Sequence, residues 1–471
     1  MAVRLVGADR RVDRGEPSGA AAADRAAGAA RGTDVTEPLP RPVRVGYSLG
    51  SVATGAFGTV PGLLLLPYLT DTLGVAAGLA GVLVLLPKAW DVLINPVVGR
   101  VSDRTTTRIG ARRPYLLGGG LALGVLFALM FAGPFGTSAA APVWVTVLFL
   151  LTATAYAIFQ VPYVAMPAEM THDGAERTRL MTWRVAILAV AILISGAIAP
   201  AIAQKSIAGH RWMGVFVGAL IIAGALGAFL GTRRAPIGEV QASEPTLRAQ
   251  FAVARRNRPF RALLTCFVIQ AAGIATMLAG VKYFADHVLD ASKGGPTYLF
   301  ACFVGPALLV MPLWSRAGAR LGKLRAFTLA SLLFAAGGAL LGLVALVHAP
   351  AVLAYLATAI VGCGYAGEQV FALSMLPDCI ALDARRTGRR QAGVFTGLWT
   401  AGETLGLALG PGIFAVLLQI SGYVSSKGDT IVAQPAGART GIAIGFTVLP
   451  AVIVAVALLF LRPYRSEPEL A

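Results

Sequence analysis

Residues 88–114 read KAWDVLINPVVGRVSDRTTTRIGARRP, which places one acid inside an apolar helix and then five arginines in the loop behind it. Apolar runs near 76–101 and 113–133 flank this loop, and each has the length of about 20 residues that a bilayer-spanning helix needs. The 471-residue chain is 56% hydrophobic and only 13% charged, whereas soluble domains carry about 25% charged residues. A soluble core cannot absorb this much apolar surface, so the sequence indicates that the surrounding solvent is lipid.

Apolar runs of similar length recur along the chain in two groups of six. They lie near 44–70, 76–101, 113–133, 142–168, 180–203, 211–231, 260–287, 296–316, 325–347, 350–376, 392–420 and 437–462. The sequence therefore predicts an all-α membrane protein with twelve transmembrane helices in two six-helix bundles, 44–231 and 260–462. The other segments are polar: a disordered cytoplasmic tail at 1–43, a cytoplasmic linker at 232–259 and a cytoplasmic tail at 463–471.

The net charge of +17 is concentrated in alternate loops, which decides how it should be interpreted. Twenty-two arginines and lysines fall in the linker and one set of loops, and only five fall in the opposite set. Positively charged loops stay in the cytoplasm, so we expect both termini there, in a multi-pass protein of the cell membrane. This pattern explains the charge without a nucleic-acid partner.

The two predicted halves share a motif between their second and third helices. Pro96-x-x-Gly-Arg-x-x-Asp-Arg follows the second helix, and Pro312-x-x-Ser-Arg-x-x-Ala-Arg follows the eighth. Internal repeats of this kind are typical of transporter folds.

The loop after the second helix combines an acid with several arginines. We interpret it as a charged cytoplasmic gate that stabilises one conformation and must break in another. The candidate gate residues are Gly99, Asp103, Arg104, Arg112, Arg113 and, from the tenth helix, Asp378. The alternative is a solvated loop that carries only the topology signal.

The second helix contains an acid at membrane depth. An ionised carboxylate there costs at least ~2.5–3.5 kcal/mol, so a chain keeps one when it is paired or useful. Asp91 and Asn95 are four residues apart and share a helix face. They could bind a cation together, or Asp91 alone could carry a proton. The alternative is a structural ion pair between Asp91 and Lys88.

Other charges fall within the predicted helices. Lys282 and Asp286 are four residues apart and are either a structural pair or part of a cavity. Glu368 and Glu403 lie deeper, without a local basic partner, and we expect them to line a cavity and bind a solute or a proton. The four cysteines and four histidines show no metal-ligand spacing or cluster, so no metal site, cofactor or catalytic residue is expected.

Several motifs in the same order resemble the glycoside–pentoside–hexuronide cation symporters of the major facilitator superfamily. Trp90-Asp91-x-x-x-Asn95-Pro96 resembles that family's WDxxxDP element. Further similar segments are Pro67–Asp71, Pro162–Arg184, Ser374–Asp378 and Gly388–Gly393. The resemblance covers about residues 44–462, and it implies a major facilitator fold that moves a small organic solute by alternating access.

The sequence departs from the family at the expected cation site. The family uses two acids on the second helix, but the second position is Asn95 here, and the intervening Asn is Ile94. A hydroxyl position on the fourth helix corresponds to Ala157. Because sodium prefers several hard oxygen ligands, the resemblance leaves three alternatives: a transported proton, a transported sodium ion and uncoupled transport.

The expected sugar site departs as well. The family's Lys and Asp on the first helix correspond to Thr54 and Gly55, and only the basic residue at Arg184 is retained. The other substitutions are Gln160 for an Asp, Val164 for a Trp, and Thr404, preceded by Glu403, for a Lys. With Trp90, Lys282 and Glu368, these residues form the candidate substrate cavity. Loss of charged groups and of an aromatic platform indicates another glycoside or a more amphipathic solute.

The sequence therefore favours a secondary transporter, driven by a proton or another cation, over an enzyme. A drug or metabolite exporter of the same fold is an alternative, and a membrane-embedded enzyme or receptor is a third. The expected partners are the lipid bilayer and a small solute, with no nucleic acid, and we expect the monomer to function.

Overall fold

A computed structural model describes residues 39–171, 174–203, 206–235, 255–289, 294–387, 392–426 and 432–465. The predictions for the tail before residue 39, for most of the linker and for the chain after residue 465 lie outside these ranges. Nearly all of the described chain is helical, and we number its long helices in chain order.

Twelve helical spans are long and apolar enough to cross a bilayer within the described ranges, which confirms the predicted all-α class. The first half contains α1 (Arg41–Pro67), α2 (Ala77–Asp103), α3 (Arg113–Met130), α4 (Ala140–Met170), α5 (Gly174–Ala203) and α6 (Ile207–Gly231). The second half contains α7 (Arg258–His287), α8 (Gly295–Leu321), α9 (Lys323–Leu346), α10 (Ala351–Thr387), α11 (Ala392–Ile420), α12 (Ala436–Phe446) and α13 (Val448–Ala457). The last two form one span that is interrupted at Thr447.

Several helices extend beyond their predicted limits. The segment 169–179 was predicted as a loop, but α4 continues to Met170 and α5 begins at Gly174. Helix α10 was expected to end near residue 376 and instead runs to Thr387. Hydropathy marks where a helix leaves lipid, whereas the backbone hydrogen bonds that define a helix continue into water.

The helices pack in two sets that correspond to the two halves of the sequence. In the first half α1 packs against α5 and α6, and in the second half α7 packs against α11 and α9 against α10. The two sets contact each other through the pairs α2–α11, α5–α8 and α1–α7. The exact domain boundaries stay a prediction.

Hydrogen bonds between the halves lie at one end of the bundle. This is the end where α1 finishes and α2 begins, opposite the arginine-rich loops. They include bonds from Gly78 to Gln419, from Thr297 to Ala197 and from Ser425 to Val75. The halves are thus held together far from the arginine-rich loops.

Candidate functional site

Helix α2 buries Asp91 in the first half of the protein. Asp91 is only 4% exposed, and its Oδ2 lies 3.8 Å from the Lys88 ammonium. This distance is too long for a hydrogen bond. The Oδ1 atom is buried and has no hydrogen-bond partner among the described residues. The Lys88–Asp91 ion pair, which the sequence offered as an alternative, is therefore present, but it is too long to give the Asp91 carboxylate a hydrogen bond.

Lys88 has a second neighbour on α1. Its ammonium lies 5.6 Å from the centroid of the Phe57 ring, which is a cation–π distance. Asn95, one turn after Asp91, is half-buried. The acid, its nearby cation and the amide thus occupy two turns of α2.

Tyr156 on α4 connects residues that the sequence analysis treated separately. It interacts electrostatically with Asp91, with Arg184 on α5 and with Glu403 on α11. It also lies within hydrogen-bond reach of Thr54 on α1. Side chains from both halves therefore meet near this tyrosine, in the middle of the bundle.

Two candidate residues on α1 and α4 are bonded to each other. The Thr54 hydroxyl donates to Oε1 of Gln160 at 2.7 Å. The next residue, Gly55, packs against α5, where an added Cβ would lie 3.1 Å from Cβ of Ala191. Val164, one turn beyond Gln160, is exposed.

Arg184 is held by an aromatic face and has an unused donor. Its guanidinium carbon lies 5.4 Å from the centroid of the Tyr163 ring, and its Nε is buried without a hydrogen-bond partner in the described chain. Tyr163 is itself fixed, because its hydroxyl donates to the Tyr47 carbonyl at 2.9 Å and lies 3.0 Å from the Ser51 hydroxyl, within hydrogen-bond distance. A rigid guanidinium with a free N–H can bind an oxygen-rich solute.

Three other candidates have hydrogen-bond or ion-pair partners, and a fourth is buried without a hydrogen-bond partner in the described chain. The Trp90 indole donates to Thr154 at 2.9 Å, and Lys282 forms a buried 2.9 Å ion pair with Asp286. The Thr404 hydroxyl donates to the carbonyl of Thr400 one turn earlier. Glu368 is buried within the second half, at 2% exposure.

The gate candidates form one compact ion pair in the first half. Arg112 Nε donates to Glu169 Oε1 on α4 at 2.7 Å, and its Nη1 donates to the Ser102 hydroxyl at 2.6 Å. Arg113 donates instead to the carbonyls of Ile109 and Ala235. Arg104 is exposed, Gly99 has only ordinary contacts, and the side chain of Asp103 lies outside the described part.

The second half repeats this arrangement with a lysine. Lys323, the first residue of α9, lies 2.6 Å from Asp378 on α10 and also donates to the carbonyl of Ser374. Each loop cation therefore binds an acid near the end of the fourth helix of its own half.

A network at the opposite end joins the two halves; we call it the inter-half network, and it consists of Thr70, Asp71, Tyr283, His287 and Tyr423. The Tyr423 hydroxyl donates to Asp71 Oδ1 at 2.6 Å and lies 3.3 Å from Nε2 of His287. The hydroxyls of Thr70 and Tyr283 are 2.6 Å apart. Burial and the Asp71 carboxylate raise the pKa of Tyr423, so its hydroxyl stays a donor.

Sequence reasoning missed Tyr156, Glu169 and most of this network. Asp71 lies in a motif that resembles the family, but nothing local marks Tyr423 as its partner. A tyrosine within an apolar helix and an acid near a helix end are common, so neither carries a signal without the fold.

Comparison with known proteins identifies the family. The family described as MFS/sugar transport protein matches residues 46–466. A glucuronide carrier protein homolog of Escherichia coli is 29% identical over 430 residues, which cover 87% of this chain and 91% of the relative. An isoprimeverose transporter of Lactiplantibacillus pentosus is 24% identical over 92% of this chain and 91% of its own. An uncharacterised symporter of Bacillus subtilis is 27% identical over 90% of this chain and 92% of its own.

Solved structures share the fold at low sequence identity. A nucleoside transporter superposes with a TM-score of 0.61 at 12% identity, covering 90% of this chain and 99% of its own. A POT family transporter in complex with 5-aminolevulinic acid gives a TM-score of 0.64 at 14% identity, covering 89% and 95%. The chain belongs to the MFS/sugar transport protein family, and it is a multi-pass secondary transporter with cation coupling rather than an enzyme.

Proposed function

We propose that this chain is a proton-coupled symporter of a glycoside-like solute and that Asp91 carries the coupled proton. The observation that supports this most directly is the buried Asp91 carboxyl, with one oxygen unpartnered among the described residues and the other 3.8 Å from Lys88. A proton satisfies such a group without further ligands, because it removes the charge that burial disfavours.

The surroundings of Asp91 favour a proton over sodium. A sodium ion needs several oxygen ligands, and the Lys88 ammonium would repel it from the same carboxylate. Protonation of Asp91 would release Lys88 towards Phe57, which gives the proton a way to change the contact between α1 and α2.

The solute class follows from the polar groups near Tyr156. The Arg184 guanidinium and the Thr54–Gln160 pair offer donors and acceptors suited to hydroxyl groups or a carboxylate. The names of the relatives point the same way, since they are a glucuronide carrier homolog and an isoprimeverose transporter. A glycoside, with or without an acidic group, is therefore the proposed solute.

We further propose that the arginine-rich loops and both termini face the cytoplasm, in the cell membrane, and that the monomer is active. The distribution of basic residues supports the orientation. The end at which hydrogen bonds join the two halves would then face the outside. An impermeant maleimide added outside cells should label Ser138→Cys and leave Thr106→Cys unlabelled; the reverse pattern contradicts the orientation.

The test of the coupling residue is uptake into proteoliposomes from a radiolabelled panel of glucuronide, isoprimeverose and lactose. A pH gradient should drive wild-type accumulation of at least one of them. Asp91→Asn should abolish that accumulation, because an amide cannot take up and release a proton, while solute exchange without a gradient persists.

Leu93→Ala is the matched control, since Leu93 lies on the same helix and is 65% exposed. It should accumulate solute as the wild type does. Accumulation driven by a sodium gradient alone, or undiminished accumulation in Asp91→Asn, would overturn the proposal. Flux against the direction of proton entry would instead indicate an exporter.

A further inference from the structure

A second buried carboxyl lies in the other half of the protein, away from Asp91. Glu368 is in the middle of α10 and is 2% exposed. Neither of its carboxyl oxygens has a hydrogen-bond partner among the described residues. Two neighbouring polar side chains, Gln270 on α7 and Ser331 on α9, are also buried. An ionised carboxylate in this position would be unpaired, which is costly in a membrane protein.

The hydrogen bonds of Ser331 determine what Glu368 can do there. Ser331 neighbours Glu368, and its hydroxyl donates to the carbonyl of Phe327 at 3.1 Å and accepts from Gln270 Nε2 at 2.8 Å. A hydroxyl has one proton and two lone pairs. Its proton is already used, so Ser331 has none to give a Glu368 carboxylate, but its second lone pair can accept a proton from a carboxylic acid.

Gln270 leads to the same conclusion. Its Nε2 donates to Ser331, and its Oε1 is buried without a hydrogen-bond donor in the described chain. The small cluster of Gln270, Ser331 and Glu368 therefore has acceptors to spare and lacks a donor. A proton on Glu368 supplies one.

No cation from the helices around Glu368 compensates its charge. The charged residues of α7, α8 and α9 within the described ranges lie near the helix ends: Arg258, Arg261, Lys282, Asp286, Arg316, Arg320, Lys323 and Arg325. His287 ends α7 and belongs to the inter-half network. Lys282 is twelve residues from Gln270, which is about 18 Å along a helix, and Arg316 is exposed. The polar groups that act on Glu368 are Ser331 and Tyr365.

Tyr365 experiences the charge of Glu368 and of a second acid, Glu403. It lies one turn before Glu368 on α10 and interacts electrostatically with both Glu368 and Glu403. Glu403 is half-buried and also interacts with Tyr156, near Arg184 and Asp91. Loss of the proton from Glu368 would therefore act electrostatically on Tyr365, as the charge of Glu403 does.

We propose that Glu368 is a second proton-binding site of the transporter and that it carries its proton in the described state. This inference rests on the proposed proton coupling. Release breaks the O–H bond of the Glu368 carboxyl, leaves a carboxylate there and transfers the proton to water. Each half then contributes one proton carrier, Asp91 in the first and Glu368 in the second.

Infrared spectroscopy of the purified wild-type protein in lipid tests this without a solute. A protonated buried carboxyl gives a C=O band that shifts in heavy water. The wild type should show such a band, which fades reversibly as the pH is raised, and Glu368→Gln should lack it. The proposal is overturned if Glu368→Gln shows the same carboxyl C=O bands as the wild type. It is also overturned if the band responds neither to pH nor to heavy water.

Ser331→Ala keeps the test decisive if Glu368→Gln does not fold. Removing the acceptor should shift the frequency of the same band, and an unshifted spectrum contradicts the assignment. The result is separable from the proposed function, because uptake by Asp91→Asn tests coupling at Asp91 alone. A titrating Glu368 band together with sodium-driven uptake would leave the proton site standing and refute the symport proposal.

Discussion

Arg112 and Lys323 form similar ion pairs in the two halves, but the two pairs differ in burial. Each fixes an arginine-rich loop to the fourth helix of its half, through Glu169 and Asp378 respectively. The Arg112–Glu169 pair is nearly buried, at 6% and 12% side-chain exposure, whereas the Lys323–Asp378 pair is largely exposed. An exposed ion pair contributes little, but breaking a buried one leaves an uncompensated charge.

Arg112→Ala should therefore destabilise the first half strongly. Loss of the guanidinium strands the Glu169 carboxylate and removes the bond to Ser102, and breaking a buried pair costs about 3–5 kcal/mol. Thermal unfolding in detergent should show a clearly lower midpoint. Arg108→Ala, an exposed arginine of the same loop, should unfold at the wild-type temperature. Equal unfolding midpoints for the two variants would show that the Arg112 contacts do not contribute to stability.

Arg112 and its partner Glu169 show which single residues can be identified from the sequence and which cannot. Arg112 stands out locally, since it lies in an arginine-rich loop, and the same is true of Asp91 as a charge within an apolar helix. Glu169 is 57 residues away from Arg112, and only the packing of α3 against α4 brings it there. Tyr156 was missed for the same reason, because its neighbours come from four other helices.

The helices themselves were the most predictable feature, because each is a long apolar run set off by charged loops. Their extents in water and their neighbours were not predictable. Helices α1 and α6 approach so closely that Gly46 and Gly231 meet backbone to backbone, and a Cβ on either would overlap the other residue. Small residues permit this approach in membranes, but 55 glycines are too many for the sequence to mark these two.

Gly46→Ala should separate α1 from α6. The added methyl group meets the Gly231 backbone, which cannot rotate away as a side chain could, and overpacking of this kind costs about 1–3 kcal/mol. Thermal unfolding should report a lower midpoint. Gly58→Ala, on the same helix with no atom within 4 Å of the added Cβ, should leave it unchanged. If Gly46→Ala unfolds no earlier than Gly58→Ala, the two helices do not pack as described.

The position of the contacts between the halves determines which conformation the protein occupies. The hydrogen bonds that join Gly78 to Gln419, Thr70 to Tyr283 and Asp71 to Tyr423 lie at the end opposite the arginine-rich loops, so alternating access requires them to break together. The inter-half network is the most polar of these contacts, and Tyr423 on the second half is its centre. The equilibrium between the two conformations should therefore respond to single atoms of that network.

Tyr423→Phe removes one hydroxyl and should move the protein towards the opposite conformation. The lost hydrogen bond goes to the Asp71 carboxylate at 2.6 Å, and a bond to a charged group contributes about 1.5–3 kcal/mol. Since about 1.4 kcal/mol corresponds to a tenfold change in an equilibrium constant, the population open at this end should rise at least tenfold. Electron–electron resonance between spin labels at Ser138→Cys and His348→Cys, with the four native cysteines replaced, should show a new, longer distance.

Tyr298→Phe removes a hydroxyl from an exposed tyrosine of α8 and should leave the distances as they are. An unchanged distribution in Tyr423→Phe would mean that the network does not hold this end closed, and that the apolar contacts of α1, α2, α7 and α11 do so without it.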